Sequence, residues 1–227
     1  MSHTHIFSAE APRECGLCPR LVAFRQDCKA KLPKGYNGAV PSFGDEGAEL
    51  LIIGLAPGMG GANMTGRPFT GDWAGDLLYA TLAKFGFSEG VYKARPDDGL
   101  VLKHAMITNA VRCLPPQNKP IGAEINTCRD FLKARIAALP RLKAIIALGK
   151  IAHDSTVRAL ELKLKDHPFG HGVHYQISLP ASQTLKAGRV DFLSSYHCSR
   201  YNTNTRRLTT EMFEDVFAKA KACLTQT

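Results

Sequence analysis

Four cysteines and three glycine-rich polar stretches are the parts of this 227-residue chain whose types and spacing could do chemistry. Cys15 and Cys18 form a CxxC pair, an arrangement that lets two thiolates from one turn grip a single metal or cluster iron. Far downstream stand Cys113, on a loop at a strand end, and Cys128, on a helix. Taken by residue type alone the set stays open. It fits ligation of a metal or cluster, or it fits half a zinc site or a redox pair at the CxxC with Cys128 in an apolar core. Cys28, Cys198 and Cys223 read as spare thiols. The polar stretches are GLAPGMGGANMTGRPFTGD, TNAVRCLPPQNKP and SSYHCSRYNTNTRR. They bring one carboxylate (Asp72), two amides (Asn109 and Asn118), one imidazole (His197) and one aromatic ring (Phe69). Five cations, Arg112, Lys119, Arg200, Arg206 and Arg207, accompany them.

The elements that must position these groups alternate along the chain. Glu49 to Ala56 is a short apolar run closed by Pro57 and glycines, which predicts a buried strand entering a loop. Gly71 to Gly86 carries Leu77, Leu78, Thr81, Leu82 and Phe85 at helical spacing. A second strand is predicted over His104 to Val111 and a helix from Ala123 to Leu139. A third strand covers Lys143 to Leu148, with Gly149 opening another helix. Val173 to Leu179 and Val190 to Tyr196 follow as strands, and Leu208, Met212, Val216, Phe217, Ala220 and Leu224 mark a last amphipathic helix. Segments 88 to 103 and 163 to 172 read as surface loops, and no internal repeat is evident.

This order predicts a three-layer α/β/α domain spanning residues 1–227, around a central, mainly parallel, four-stranded sheet. In such sheets ligands bind beyond the carboxyl ends of the strands. All three polar stretches fall there.

Composition narrows the partners. The formal charge of +9 favours a polyanion, because each phosphate neutralised releases counterions, although charge by itself is weak evidence. The N-terminal MSHTHIFSAEAPREC has no secretory pattern and no window reaches the roughly 18 apolar residues of a membrane span, so a cytoplasmic protein is expected. Seven cysteines in such a chain disfavour a disulfide framework.

GLAPGMGGANMTGRPFTGDWAGDLLY at 54–79, NAVRCLPPQNKP at 109–120 and SYHCSRYNTNTRRLT at 195–209 together resemble the uracil-DNA glycosylase superfamily, and specifically its family 5. The likeness covers nearly the whole chain. It implies excision of uracil, and of other deaminated bases such as hypoxanthine, from DNA by a monomer. It also implies that Cys15, Cys18, Cys113 and Cys128 ligate a structural 4Fe-4S cluster pinning the N-terminal segment beside the site. Two departures stand out. Family 4 carries glutamate in GEAPG where this chain has Leu55, which favours family 5. Members of family 5 usually read TGRLT where Arg206 here replaces the glycine.

The chemistry implied is that of base extrusion followed by cleavage of the bond between base and sugar. Flipping a nucleotide out of the stack costs a few kcal/mol. Phe69 is placed by the resemblance to stack on the extruded base, and Gly54 and Ala56 to line its pocket, whereas Phe69 alone could equally be a core aromatic. Asn109 both donates and accepts, which suits the uracil edge; an asparagine at a strand end also satisfies turns. Bond cleavage builds positive charge on the deoxyribose and negative charge on the base. Asp72 is the first choice for the carboxylate that orients water or shields the cation, with a helix N-cap as its rival role. Asp76 is a weaker candidate. Asn118 is expected to help hold water, or to serve a turn beside Pro120. His197 is expected to meet the uracil carbonyl or developing anion, or only to cap a strand. Arg112, Lys119, Arg200, Arg206 and Arg207 are expected to clamp phosphates, and Tyr201 or Tyr196 to wedge into the vacated stack.

Other classes fit less well. GMGGAN breaks GxGxxG at its last position and no GK[ST] follows, which argues against a nucleotide-binding module. A non-catalytic iron-sulfur or zinc protein that binds DNA would need the cysteines but not Phe69, Asp72, Asn109 and His197 together.

Overall fold

The computed structural model describes residues 8–179 and 188–225, so the first part of the N-terminal stretch considered above lies outside it. Helix α1 (Pro19–Lys31) and the short strand β1 (Phe43–Gly44) precede the first central strand, β2 (Leu50–Gly54). Then come α2 (Ala62–Thr65), α3 (Trp73–Lys84), a hairpin of β3 (Ser88–Glu89) and β4 (Val101–Leu102), and β5 (Ala105–Asn109). A 3-10 turn (Pro116–Asn118) leads to α4 (Gly122–Ala137), β6 (Ala144–Leu148) and α5 (Lys150–Ala159). The chain continues with β7 (His174–Leu179), β8 (Gly188–Ser195), α6 (Arg200–Asn204) and α7 (Thr210–Thr225).

The sheet has six strands in the order β1-β5-β2-β6-β8-β7, where four were expected. Its centre, β5-β2-β6-β8, is the parallel set that the alternation predicts. The edge strands β1 and β7 pair antiparallel; β7 falls on the strand predicted over Val173 to Leu179, and β1 was not expected. Strand β1 is two residues long, too short to carry a pattern.

Strands β2, β5 and β6 are buried at every position, as unbroken apolar runs require when helices cover both faces. Leu50, Ile52, Ile107, Ile146 and Leu193 form one core with Leu78 and Leu82 of α3 and Phe213 and Phe217 of α7. Leu51, Ile53, Met106, Ile145 and Phe192 form the other with Leu132 and Ile136 of α4 and Val157 of α5. The layers are therefore α/β/α.

From β2 the chain adds β5 on one side and then crosses to β6 on the other. Successive crossovers leave the first strand in opposite directions there, opening a crevice above its carboxyl end, as in other open α/β sheets. No helix among the described residues is long and apolar enough to cross a membrane.

Segment 88–103 is more than a surface loop. Leu100 and Leu102 are buried in the core and Asp98 has a fully buried side chain. Polar composition hides this, because the burial of Asp98 is made possible by a cation 31 residues upstream.

Candidate active site and four-cysteine centre

Above the crevice lies a cavity of about 560 Å³, lined by Leu55 to Ala62 from the loop after β2 and by Phe69, Asp72, Trp73, Ala74, Asn109, Asn118, His197, Ser199 and Arg200. Three stretches distant in sequence thus converge because each leaves the same end of a parallel strand.

The floor depends on Gly54. A Cβ there would stand 2.4 Å from Asn109 Oδ1 and 2.6 Å from two ring carbons of Phe69, so only glycine lets the amide and the ring approach across the strand end. Asn109 is buried, and its Oδ1 has no hydrogen-bond partner among the described residues. An unmet buried acceptor costs about 1–3 kcal/mol. Its position at the cavity makes it an acceptor waiting for a donor.

Phe69 is buried at a positive φ of 53°, a conformation unusual for an aromatic residue, so the RPFTG turn must be held by its surroundings. Buried Arg67 holds it. Its guanidinium donates to Thr70 Oγ1 at 2.7 Å and to both oxygens of Asp98 at 2.8 Å, and lies over the rings of Phe43, Tyr79 and Tyr92. That fork keeps the Asp98 carboxyl well below the usual carboxylate range. Gly75 completes the arrangement, since a Cβ on it would strike the Phe69 carbonyl oxygen at 1.9 Å.

Asp72 holds both positions weighed for it. It is the N-cap of α3, its Oδ1 accepting from Gly75 N at 3.1 Å, and it also lines the cavity. Gly58 and Gly61 crowd against its other oxygen, where a Cβ on Gly61 would lie 2.4 Å from Oδ2. Burial raises its pKa; hydrogen bonds from the Gly75 and Ala74 amides oppose the rise and Asp76 adds to it. Asp76 itself does not line this cavity.

His197 stacks beside Phe69, with ring centroids 5.8 Å apart and planes 24° apart. Asn202 Nδ2 donates to its carbonyl at 2.8 Å. The surrounding protein desolvates the imidazole and lowers its pKa to about 4, so the ring is neutral at physiological pH. Asn118, exposed at the rim, takes a left-handed φ of 56°, which asparagine tolerates better than most residues.

The expected cations separate. Arg200 lines the cavity; Lys119, Arg206 and Arg207 are exposed. Arg206 sits at φ 56°, so the backbone keeps the left-handed turn that a glycine there would favour. Arg207 lies over Tyr196, which is also stacked on His171 and so is held in place rather than free to wedge, while Tyr201 is 71% exposed.

Arg112 is a correction. It is buried, donating to Glu10 Oε2 at 3.1 Å, Ser42 Oγ at 3.0 Å and the Ala9 carbonyl at 3.2 Å, so it ties down the N-terminal segment and offers nothing to phosphate. The segment that folds over it is remote in sequence, which is why its polarity read as exposure.

Cys15, Cys18, Cys113 and Cys128 all line a second, small cavity beside Leu21, Val111 and Phe131. Burial, and then Cys128, pushes the Cys113 thiol up to about 12; burial pushes Cys128 up to about 11. Two N–H donors face the sulfurs. The Arg112 amide donates to Cys128 Sγ at 3.2 Å, and Arg25 Nη1 lies 3.9 Å from Cys113 Sγ. A backbone amide and the buried Arg25 guanidinium beside four cysteines that line one cavity are donors of the kind that metal-bound thiolates accept from. Of the remaining thiols, Cys198 packs against the Ala74 carbonyl, and Cys223 lies with His174 and Asp191, their ligand atoms within 4.8 Å of one another.

Arg67, Asp98 and Gly75 at the Phe69 turn, and Met59 and Trp73 at the cavity, were not expected from the sequence. Arg67 and Gly75 stand inside the first motif and could have been singled out there; Asp98 carried no signal.

A mainly parallel sheet with a cavity above its switch point, a buried amide acceptor at that cavity and a carboxylate on its wall is the frame of an α/β enzyme. Residues 41–221 match the family model described as the Uracil DNA glycosylase superfamily, and the chain belongs to that superfamily. Type-5 members match it over about nine-tenths of its length at 34–42% identity. The type-5 uracil-DNA glycosylase of Thermus thermophilus is 42% identical over 213 residues, covering 91% of this chain and 92% of that one. That of Pyrobaculum aerophilum is 34% identical, covering 92% and 88%. The type-4 uracil-DNA glycosylase of Archaeoglobus fulgidus matches only 55% of each chain, at 36% identity.

Proposed function

We propose that this chain is a monofunctional glycosylase of base excision repair that hydrolyses the N-glycosidic bond of uracil in DNA, with Asp72, Asn109, Phe69 and His197 as its working groups. The observation that carries the reading is the buried, unpartnered Oδ1 of Asn109 at the floor of the cavity. Uracil presents an N–H flanked by two carbonyls, and an amide that both accepts and donates pairs with that edge. Cytosine presents an acceptor in place of the N–H and would leave Oδ1 facing a lone pair.

The uracil ring slides over Phe69, with Gly54 making room for that ring and for Asn109, and Ala56 on the wall. As the bond lengthens, the electron pair leaves with the base and positive charge grows on the sugar. Asp72, ionised, faces that charge and orients water toward the anomeric carbon, with Asn118 holding water at the rim. His197, neutral, donates to the base oxygen where negative charge gathers. The water oxygen bonds to the sugar carbon, its proton passes to Asp72, and the base departs as an anion that solvent protonates.

Cys15, Cys18, Cys113 and Cys128 would hold a 4Fe-4S cluster, whose contribution when bound is structural. Those residues tie residues 11–18 and α1 to the loop after β5 and to α4, and so fix the strand end that carries Asn109. Lys119, Arg200, Arg206 and Arg207 contact backbone phosphates, and Tyr201 fills the gap in the stack. Leu55 leaves the entrance apolar, and the 560 Å³ cavity leaves room for hypoxanthine.

Asn109→Ala tests the reading. Excision of uracil from an oligonucleotide should fall by about 100-fold or more, since a removed recognition or oxyanion contact costs that much. Undiminished excision by the variant would overturn it.

A further inference from the structure

Trp73 is the only tryptophan in the chain, and it stands on the rim of the cavity with 49% of its surface exposed. A large aromatic left that open is normally mobile, but this one is held on two sides. Its Nε1 donates to Thr203 Oγ1 at 3.1 Å, and the Arg200 guanidinium lies over its ring at 5.4 Å. The anchor residues come from α6 and its start, 127 to 130 positions away in sequence. An indole fixed by its polar edge, backed by a cation and still open to solvent is a stacking platform in the form that single-strand binders use. It follows Asp72 directly, so a base lying on it is a near neighbour of the nucleotide whose sugar Asp72 faces.

We propose that Trp73, backed by Arg200, forms a second nucleobase subsite that stacks the base next to the extruded one. The inference rests on the glycosylase reading for the identity of the strand. It adds that the enzyme grips a flanking base without reading its identity, because every base has a π face. Arg200 serves the subsite by polarising the indole from behind while its outer N–H groups stay available to phosphate. Binding is thereby divided between Phe69 inside the cavity and Trp73 at its edge.

The test uses the whole iron-loaded protein and a single-stranded oligonucleotide holding one 2′-fluoro-deoxyuridine, which resists cleavage because fluorine disfavours positive charge on the sugar. A second strand is identical except that the neighbouring nucleotides lack their bases. The fluorescence of the single tryptophan should be quenched by the first strand and much less by the second. Trp73→Ala should weaken binding of the first strand by about ten-fold or more and leave the second unchanged, while Trp73→Phe restores most of the loss. Equal affinity of wild type and Trp73→Ala for the base-bearing strand would overturn the proposal, as would equal losses on both strands. Uracil release from the unfluorinated strand by the wild type reports separately on the glycosylase reading, so the two fail independently.

Discussion

Asp72 caps α3 and also lines the cavity, and the direction of its pKa shift says what its charge does to stability. In the unfolded chain it gives up its proton near the ordinary 3.8, whereas burial raises that value in the fold. At neutral pH the ionised form is therefore destabilising. Asparagine is as good an N-cap. Asp72→Asn should lower the single-turnover rate by about 100- to 1,000-fold while melting at the same or a higher temperature at pH 7, an advantage that disappears below about pH 4. A large drop in melting temperature at neutral pH would show that the cap is its main role. His197 has the opposite linkage. Its pKa is about 4 in the fold against 6.5 unfolded, so only the unfolded chain takes up the proton between those values. Stability contributed through this residue is complete above about pH 6.5 and is lost as the pH falls toward 4. Denaturant midpoints across that range should decline less steeply in His197→Gln than in the wild type.

At the scale of elements, the turn that presents Phe69 is held by a pair remote in sequence. Removing one partner of a buried ion pair costs about 3–5 kcal/mol, so Asp98→Ala should lose that much stability in denaturant titrations and uracil excision with it. The turn after α6 runs the other way. Arg206 sits in a left-handed conformation that costs a side chain roughly 1 kcal/mol, so Arg206→Gly should stabilise the fold by up to about that amount. If Arg206 meets phosphate, the same change should weaken DNA binding evenly across sequences and reduce the log–log salt slope by about 1. Central strands were legible because burial on both faces writes them as apolar runs. Helix α1 was not, since only Leu21, Arg25 and Cys28 of its length are buried and two of those are polar or sulfur-bearing. The hairpin at 88–103 was hidden because two-residue strands carry no period and Asp98 owes its burial to Arg67.

For the whole molecule, the three polar stretches were readable as one site because a mainly parallel sheet must deliver its strand ends to one edge. What sequence could not supply was the division of labour among the cations. Arg112 went inward under Glu10, and Arg200 settled on Trp73. The four cysteines join the N-terminal segment to this edge, so Cys113→Ser should abolish iron and visible absorbance and lower the melting temperature of the purified protein. Retained iron at wild-type level would remove that residue from the ligand set. In the function proposed above, the cavity at the switch point takes a uracil out of DNA and cuts it from its sugar. Chromatography of bases freed from otherwise identical oligonucleotides tests it most directly, with uracil, hypoxanthine, cytosine or thymine at one position and iron-loaded protein in excess. Uracil should be released rapidly and hypoxanthine released too, while cytosine and thymine stay on their strands. Intact uracil-containing strands after prolonged incubation would contradict that function.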